Sequence, residues 1–527
     1  MLELRRMTVG QLLREAAVKW PENTALEYTD CKWNYKQLDS AVDITASKLI
    51  SLGIKKGEHI GLWCEAEPNY VITLYALARI GAIGCLLNTS LQKEELKSII
   101  KRTDITRMII GDGYKQLDYP LILTEIKNET ESGMPVYYIG LSGDSKGFDK
   151  LDDAKLCPEE MLKTAESSVA SNDTAYILYT SGTTSAPKAV MGSHFSRTNS
   201  AALQAYDLVA TEKDRFCVAM PVFHCFCMSV AVLAPCTVGA CMYLPESRRT
   251  TALLKGISEA KCTVMSSVPA LFHAMLSRSD FPSWDLSSLR AGFIGGSIVS
   301  EELFKEINDG FGFTLLSSLG QTEATAGITT ASFSDTLHTR ATTVGHFMDH
   351  VEGRIADIND NSTLETGKTG EICVRGYVVM QGYYNNPEAT ASAIDKDGWL
   401  HTGDLGYLDD DGNVHLAGRL KELIIRGGEN ISPAEIELAL ADDKRIAECK
   451  AVGVPDRHYG EEVCLFIVPA DGVDINEHEI RAFLSRRLAD FKLPKYILFT
   501  PDLPKTSSGK VRSSELSAIA KEKLDLI

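Results

Sequence analysis

A loop rich in hydroxyl groups and glycine constrains this chain more than any other segment. Residues 179–190 read YTSGTTSAPKAV and follow residues 175–178, a short apolar run typical of a buried strand. Such a loop can bind phosphate, because backbone N–H groups and hydroxyls donate hydrogen bonds and a lysine supplies positive charge. The spacing is not that of a P-loop, and an ordinary solvated loop is the alternative. The predicted phosphate contacts are Thr180, Ser181, Gly182, Thr183, Thr184 and Lys188.

The loop resembles the signature of the adenylate-forming superfamily, which includes acyl-CoA synthetases, aryl-CoA ligases, peptide-synthetase adenylation domains and beetle luciferases. The other motifs of the chain follow in the order of that family, and the resemblance covers nearly the whole sequence. The family usually has glycine where this chain has Ser185, so the backbone of the loop departs from the family pattern there. The remaining hydroxyls and Lys188 retain the chemistry.

Length and charge narrow the class of protein. A chain of 527 residues is too long for one ordinary core, so we expect at least two domains. The net charge of −17 disfavours a nucleic-acid partner, because binding to that backbone requires a basic excess. Small polyanions need only a local positive site and remain possible ligands.

Cysteine usage and hydropathy predict a cytoplasmic protein. The 13 cysteines include no C-x-x-C pair, as is typical of reduced thiols, and His224 beside Cys225 and Cys227 is a poor zinc motif. The longest apolar run, residues 70–87, contains Arg79 and indicates a buried helix and strand rather than a membrane span. We expect neither a signal peptide nor a peroxisomal or lipidation signal.

Alternating helical and strand patterns predict an α/β fold with parallel strands. Helices are expected at residues 38–52, 70–80, 95–100 and 301–311, and strands at 59–63, 108–110, 175–178, 262–266 and 291–294. From residue 345 the sequence turns to short strands and turns, which predict a β-rich lobe at about 345–418. A last unit has predicted helices at 433–440 and 477–488 and strands at 449–454 and 462–469.

The resemblance supports a division into two domains. It implies a large N-terminal AMP-binding domain of layered α/β subdomains over residues 1–418. It also implies a hinge at 419–421, with Lys421 at the hinge position, and a small mobile α+β C-terminal domain over 422–527.

A carboxylate near the phosphate loop indicates a metal ion. Residues 317–324 read SSLGQTEA, and Glu323 would repel nucleotide phosphates unless a hard cation lay between them. A surface acid in a turn is the alternative. The family pattern Y-G-x-T-E implies that Glu323 binds Mg²⁺ and Thr322 binds phosphate, while Leu319 replaces the aromatic residue that stacks on adenine. The predicted nucleotide contacts are Ser318, Leu319, Gly320, Gln321 and Thr322, and the predicted metal ligands are Thr180 and Glu323.

Glycine turns and an aspartate complete the predicted nucleotide and coenzyme site. Asp404, in GWLHTGDLG, matches the T-G-D motif of the family, which implies a contact with both ribose hydroxyls, assisted by Arg419. Glycine turns after strands let a flat ligand approach the backbone, although turns also occur without ligands. The further predicted contacts are Gly295, Gly296 and Ser297 for the nucleotide, and Gly427 and Gly428 for the pantetheine tunnel.

Lys510, in LPKTSSGKVR, is the predicted adenylation residue. The resemblance implies that it bridges the attacking carboxylate and the α-phosphate, where a cation stabilises charge as two anions meet. An exposed lysine near a chain end is the alternative. His224, in MPVFHC, corresponds to a segment that borders the acid site in many relatives, which implies a catalytic role as a gate or orienter of the acid. A packed core histidine is the alternative.

Together these motifs predict an ATP-dependent carboxylic acid–CoA ligase. Acid and MgATP would give acyl-AMP and pyrophosphate, and the thiol of coenzyme A would then displace AMP. We expect ATP, Mg²⁺ and coenzyme A as cofactors or co-substrates. The oligomeric state, for which a homodimer is one option, does not follow from the sequence. The motifs do not specify which acid is the substrate, and the expected lining residues fit fatty, carnitine-like or aryl acids. These residues are His224, Phe293, Gly320, Thr325 and Gly327.

Three alternatives are retained. A stand-alone adenylation enzyme would load its acyl group onto a carrier protein, but residues 223–230 lack the acid with which amino-acid-specific relatives bind an ammonium group. A luciferase-like oxygenase is compatible with the motifs. A catalytically inactive nucleotide-binding regulator is disfavoured by the presence of Lys188, Glu323, Asp404 and Lys510.

Overall fold

The computed structural model describes residues 2–130, 133–180, 187–297, 299–427, 429–505 and 510–526. Several predicted contacts lie outside the described residues and stay predictions: Ser181, Gly182, Thr183, Thr184 and Gly428.

The helices of the described residues are distributed along the whole chain. They are α1 Val9–Lys19, α2 Tyr35–Ser51, α3 Pro68–Ile80, α4 Lys93–Arg102, α5 Tyr119–Thr130, α6 Glu159–Ser168, α7 His194–Asp207, α8 Cys225–Cys227, α9 Ala234–Val238, α10 Thr250–Ala260, α11 Pro269–Leu276, α12 Glu301–Phe311, α13 Leu337–Thr342, α14 Pro387–Ala393, α15 Pro433–Leu440, α16 Glu477–Leu484 and α17 Ser513–Lys523. A wide π-helical segment, Met228–Leu233, joins α8 to α9.

The strands alternate with these helices. They are β1 Thr24–Tyr28, β2 Cys31–Asn34, β3 His59–Trp63, β4 Ile83–Leu86, β5 Arg107–Ile110, β6 Gly113–Tyr114, β7 Leu117–Asp118, β8 Val136–Tyr138, β9 Asp149–Lys150, β10 Thr174–Thr180, β11 Lys188–Ser193, β12 Arg215–Cys217, β13 Cys241–Leu244, β14 Val264–Met265, β15 Ala291–Ile294, β16 Thr314–Leu319, β17 Thr329–Thr330, β18 His346–Phe347, β19 Val351–Ala356, β20 Gly370–Gly376, β21 Gly382–Tyr383, β22 Leu400–Leu408, β23 Val414–Arg419, β24 Ile424–Arg426, β25 Glu429–Ile431, β26 Ile446–Asp456, β27 Gly460–Pro469 and β28 Tyr496–Phe499.

Two large sheets form the greater part of the fold. Within the described ranges, one has the order β18-β17-β16-β15-β14-β12-β13-β1-β2 and the other β21-β11-β10-β4-β3-β5-β8-β9. Their central strands are parallel, whereas edge pairs such as β10–β11 and β16–β17 are antiparallel. The predicted α/β class with parallel strands is therefore confirmed. Because the parallel strands of a sheet end at one edge, the carboxyl ends of β10 in one sheet and of β15 and β16 in the other are available to build a site.

Two antiparallel sheets follow along the chain. The first has the order β19-β20-β22-β23 and falls within the region where the β-rich lobe was predicted. The second belongs to the small C-terminal domain, with β25-β24-β27-β26 in order and β28 beside β27. Helices α15 and α16 contribute to the apolar core of this domain through Ile436, Leu440 and Ile480.

The buried helix predicted in the apolar run of residues 70–87 is confirmed. Helix α3 is buried along nearly its full length, and β4 follows it. Arg79, the charge within the run, forms ion pairs with Asp39 at 2.5 Å and Asp43 at 2.7 Å, which compensate its burial. None of the helices in the described part of the chain combines the length and the apolar character that crossing a bilayer requires.

Most predicted elements are confirmed, and the differences lie at their ends. Helix α2 begins at Tyr35, earlier than predicted, because Asn34 caps it and exchanges hydrogen bonds with Gln37. Helix α16 ends at Leu484 rather than at residue 488, since the carbonyl of Leu484 accepts from the N–H groups of both Arg487 and Leu488 in a tight turn. The strand predicted at 262–266 contains only Val264–Met265.

All thirteen cysteines fall within the described ranges, and each is a free thiol. The prediction of unpaired cysteines is confirmed.

Candidate active site

A cavity of about 1140 Å³ lies where the end of β10, the start of β11 and the loops after β15 and β16 meet β22, β23 and Lys510. It brings together residues that are more than 300 positions apart in sequence, such as Lys188 and Lys510. The predicted site residues that line it are Thr180, Lys188, His224, Gly295, Gly296, Ser318, Gly320, Gln321, Thr322, Glu323, Arg419 and Lys510.

Other predicted residues lie off the cavity surface. Ser297 is exposed, and Leu319 is 8% exposed and packs in an apolar cluster with Ile328 and Met348 rather than facing the cavity. Gly427 lies in the turn between β24 and β25, close to Tyr459. The residues expected to line an acid pocket also differ: Phe293, Thr325 and Gly327 are outside the cavity lining.

Tyr383 connects the two predicted phosphate-handling side chains. Its hydroxyl donates a 2.9 Å hydrogen bond to Oε1 of Glu323, and Nζ of Lys188 lies 4.6 Å from the centre of its ring. Burial and the Glu323 carboxylate raise the pKa of Tyr383, so the phenol remains a donor at neutral pH. Sequence reasoning missed Tyr383, because a tyrosine in a short edge strand has no local motif that indicates a site.

The donor set around Glu323 fits Mg²⁺. The Glu323 carboxylate and the Thr180 hydroxyl both line the cavity, and Mg²⁺ prefers oxygen ligands while it keeps several waters. Glu323 follows β16 in a 3₁₀ turn, and its carbonyl accepts from the N–H of Met380 at 2.8 Å. This backbone bond fixes the turn against the segment that precedes β21.

Asp404 offers a second polar contact beside the cavity. It is 4% exposed, and its Oδ1 pairs with Nε of Arg419 at 2.8 Å across the register of β22 and β23. Its Oδ2 is buried and accepts no hydrogen bond from the described chain. Burial raises the pKa of Asp404, and the charges of Arg419 and Lys510 oppose that rise. A carboxylate oxygen of this kind can accept from a ligand hydroxyl.

Lys510 is surrounded by the cavity walls although solvent in the cavity reaches it. Desolvation and the charge of Arg419 lower the pKa of Lys510, while Cys225 and Asp404 oppose that change. Its ammonium group therefore stands in an electropositive part of the site, which suits an anionic ligand.

Glu371 supports the segment that carries Asp404. Its carboxylate accepts from the N–H of Gly403 at 2.8 Å and lies 2.7 Å from Nδ1 of His401. The thiol of Cys373 is 3.5 Å from the same nitrogen, so the three side chains form a hydrogen-bonded cluster. His401, Thr402 and Gly403 line the cavity, and the sequence did not reveal this support because Glu371 comes from a different strand.

His224 and Cys225 occupy the start of the helical segment that continues as the π-helical turn. Burial lowers the pKa of His224 to about 4, so its imidazole is neutral at physiological pH. Its Nε2 is buried and has no hydrogen-bond partner in the part of the chain that the structure describes. The hydroxyl of Thr322 lies 3.6 Å from the sulfur of Cys225 and is oriented to donate to it. A neutral histidine here can orient a ligand and does not add charge.

The cavity also has a wall of charged residues that sequence reasoning missed. Arg248 pairs with Glu65 at 3.5 Å and lies 5.3 Å from the ring centre of Tyr114. Burial, with help from Asp112, raises the pKa of Glu67 to about 7. The cavity therefore contains carboxylates, although residues 223–230 contain none.

Comparison with known proteins identifies the family. Residues 13–384 match the AMP-binding enzyme family, and residues 435–510 match the AMP-binding enzyme C-terminal domain. YngI of Bacillus subtilis (strain 168), which carries a provisional acyl-CoA synthetase name, is 37% identical over 98% of this chain and 97% of its own length. The acyl-CoA ligase sidI of Aspergillus fumigatus is 34% identical over 98% of this chain and 92% of its own length. The human medium-chain acyl-CoA ligase ACSF2, a mitochondrial protein, is 31% identical over 99% of this chain and 89% of its own length.

Solved structures share the fold over the whole chain. ATP-bound MatB from Rhodopseudomonas palustris superposes with a TM-score of 0.85 at 26% identity, covering 98% of this chain and 100% of MatB. The anthranilate CoA ligase AuaEII, in complex with anthranoyl-AMP, superposes with a TM-score of 0.87 at 23% identity. The superposition covers 100% of this chain and 99% of AuaEII. The family matches and the shared fold define an AMP-binding enzyme. The chain belongs to the AMP-binding enzyme family, and it is an acid–thiol ligase.

Proposed function

We propose that this protein is an ATP-dependent carboxylic acid–CoA ligase that acts through an acyl-AMP intermediate on a fatty or related acyl substrate. The observation that supports this most is the meeting of Lys188, Glu323, Arg419 and Lys510 around one cavity. The two lysines and the arginine match the negative charges of a nucleotide triphosphate and an attacking carboxylate. The Glu323 carboxylate matches the charge of the metal ion.

In the first half-reaction the acid attacks the α-phosphate of ATP and pyrophosphate leaves. Lys510 lies between the two anions and stabilises the charge that they bring together. Lys188 faces the phosphates from the start of β11, and Oδ2 of Asp404 accepts from a ribose hydroxyl. Thr180 and Glu323 would hold Mg²⁺, which neutralises phosphate charge when bound.

In the second half-reaction the thiol of coenzyme A attacks the acyl carbon, and AMP leaves with the bonding electrons. Lys510 is not required at this step, because the carboxylate and phosphate charges no longer need to approach each other. The turn at Gly427, which lies off the cavity in this structure, is proposed to line the path of the pantetheine arm after the C-terminal domain moves.

A panel of carboxylic acids tests the proposal. The protein is incubated with each acid, ATP, MgCl₂ and coenzyme A, pyrophosphate release is followed, and the thioester is identified by mass spectrometry. Acid-dependent pyrophosphate release with an acyl-CoA product is expected. Pyrophosphate release without acyl-CoA, together with acylation of a phosphopantetheinylated carrier protein, would favour the stand-alone adenylation enzyme instead.

Amino acids form a second arm of the same panel. Residues 223–230 lack an acidic partner for an ammonium group, so we expect no efficient ATP–pyrophosphate exchange with standard amino acids. Glu65 and Glu67 line another wall of the cavity, and exchange with an amino acid that is abolished by Glu67→Gln would reverse this expectation.

A cytoplasmic location and a homodimer remain predictions, which fractionation and light scattering can test.

A further inference from the structure

Arg197, on α7, is a buried arginine for which the described residues provide no compensating partner. It is 1% exposed, and its Nε, Nη1 and Nη2 atoms all lack an acceptor in the described chain. Arg79 is equally buried but is paired with Asp39 and Asp43. Because a guanidinium group stays protonated in proteins, an unpaired one in the core is strongly unfavourable unless a ligand balances it.

Two tyrosines place further unsatisfied hydroxyls in the same region. Tyr176 on β10 and Tyr70 on α3 are almost fully buried, and neither hydroxyl has a hydrogen-bond partner among the described residues. Tyr176 pairs with Gly192, against which Arg197 packs, and it belongs to the same buried apolar cluster as Tyr70. We call Arg197, Tyr176 and Tyr70 the donor cluster. Its members can all donate hydrogen bonds, and acceptors for them are missing from the described chain.

Gly192 gives the guanidinium group its space. It lies on β11 directly opposite Tyr176, and a Cβ atom there would be 2.4 Å from Nη2 of Arg197. Any other residue would displace the guanidinium group. The strand pair thus forms a bare backbone surface on which the charged group lies flat, next to a phenol.

The donor cluster lies close to the wall of the active-site cavity. Cys225 packs against the apolar cluster that contains Tyr176 and Tyr70. Cys225 itself lines the cavity. One turn along α7 from Arg197, Ser200 donates a 2.9 Å hydrogen bond to the carbonyl of Thr325, next to the cavity residue Ala326.

We infer that the donor cluster binds a second anionic group on the acyl substrate, so that the preferred acid is a short dicarboxylic acid rather than an unsubstituted fatty acid. The inference rests on the proposed adenylation at Lys510. A carboxylate accepts two parallel hydrogen bonds from a guanidinium group and further bonds from phenols, which is the complement of the donor cluster. Cys225 packs against the apolar cluster that contains the two tyrosines and lines the same cavity as Lys510, so a short chain would join the two carboxylates. The Cys225 side chain is the part of the wall that must turn to admit the second one.

Binding is tested without any chemistry. The thermal midpoint of unfolding is measured in chloride-free buffer with succinate, glutarate or adipate, and with butyrate, valerate or hexanoate as chain-matched monocarboxylates. We expect at least one dicarboxylate to raise the midpoint by several degrees while its matched monocarboxylate does not, and Arg197→Met to abolish the shift. Equal shifts with both series, or a shift with chloride and none with any dicarboxylate, would overturn the inference.

Kinetics then test selectivity. The ratio of kcat/KM for the best dicarboxylate to that for its matched monocarboxylate should exceed about tenfold in the wild type, which corresponds to 1.4 kcal/mol. The ratio should fall at least tenfold in Arg197→Met, mainly through KM, and less in Tyr176→Phe. An unchanged ratio in both variants would contradict the assignment. Failure to form a thioester from any acid would remove the proposed ligase function and leave the binding result intact.

A pair of variants shows whether Arg197 is needed for folding. Arg197→Met removes a charge without partners and should unfold at or above the wild-type temperature. Arg79→Met, the matched control, leaves Asp39 and Asp43 with Arg14 as their remaining ion-pair partner and should unfold at a lower temperature. A fall in the midpoint for Arg197→Met as large as that for Arg79→Met would mean that Arg197 is a structural residue, and would overturn the inference.

Discussion

The hydroxyl of Tyr383 donates a 2.9 Å hydrogen bond to Oε1 of Glu323, and this bond ties an edge strand to the turn after β16. Tyr383 lies on β21, which pairs with β11, the strand that begins at Lys188. One ring therefore fixes the position of a carboxylate and packs against a cation. This geometry keeps Glu323 apart from Lys188, so that each can serve a different part of a nucleotide.

Substitution of Glu323 should suppress adenylation. We expect Glu323→Ala to lower the rate of pyrophosphate release by about 10²–10³-fold, because the loss of a charged group that stabilises a transition state typically has that effect. The divalent cation needed for half-maximal activity should rise as well. Tyr383→Phe keeps the carboxylate and loses only its positioning bond, so its defect should be smaller. Near-normal turnover of Glu323→Ala at low Mg²⁺ would remove Glu323 from the metal site.

Lys510 should be needed for one half-reaction only. Lys510→Ala is expected to lose pyrophosphate release from acid and ATP, because the approach of two anions is no longer stabilised. Supplied with pre-made acyl-AMP and coenzyme A, the same variant should form the thioester at a rate close to normal. Lys505→Ala, a nearby lysine paired with Glu448 outside the cavity, is the control. An equal loss in both half-reactions would show that Lys510 has another role.

Asp207 should make the protein less stable as pH rises. Burial, together with the carboxylate of Asp349, raises the pKa of Asp207 to about 7. The folded state then holds its proton more tightly than the unfolded state does, so stability falls between about pH 4 and 7. Asp207→Asn should remove this decline and raise the free energy of unfolding at pH 8 by up to about 4 kcal/mol, with little change near pH 4.

Asp214 is the control for Asp207, because its pKa is shifted in the opposite direction. Hydrogen bonds from Arg290 and Thr263 outweigh the burial of Asp214 and lower its pKa, so its ionised form stabilises the fold. Asp214→Asn should therefore destabilise the protein at pH 8. Urea unfolding at pH 4.5 and pH 8 measures both variants, and a loss of stability in Asp207→Asn at pH 8 would contradict the assignment.

Features that depend on local chemistry were predictable from the sequence. Helix α12 and strand β15 have the predicted bounds, since periodic apolar residues and flanking turns define them. Lys188, Glu323 and Lys510 were located because each lies in a recognisable motif. Tyr383 and Arg197 were not, because their roles depend on strand pairing and burial that join distant segments. A tyrosine or an arginine in isolation gives no such signal.

Lys421 is the predicted pivot between the two half-reactions. It lies in a 3₁₀ turn, Leu420–Glu422, directly after β23, and it lines the cavity beside Arg419 and Lys510. In this structure Lys510 is at the cavity and the turn at Gly427 is not, which is the arrangement expected for adenylation. Under the proposed mechanism, thioester formation would require the opposite arrangement, because one small site cannot hold Lys510 and also admit a thiol along the same face.

Proline at position 421 should separate the two steps. A hinge residue must adopt two backbone conformations, whereas proline holds φ near about −65° and also restricts the preceding residue. A 3₁₀ turn accommodates that φ, so Lys421→Pro should stabilise the arrangement described here. We expect acyl-AMP to form at close to the normal rate while thioester formation falls at least about 10²-fold, the scale on which misplacement of reacting groups lowers a rate. Lys421→Ala removes the charge without fixing the backbone and should slow thioester formation far less. Stopped-flow measurement of each half-reaction resolves these effects, and a proline variant slowed equally in both steps, or in neither, would show that the chain does not pivot at Lys421.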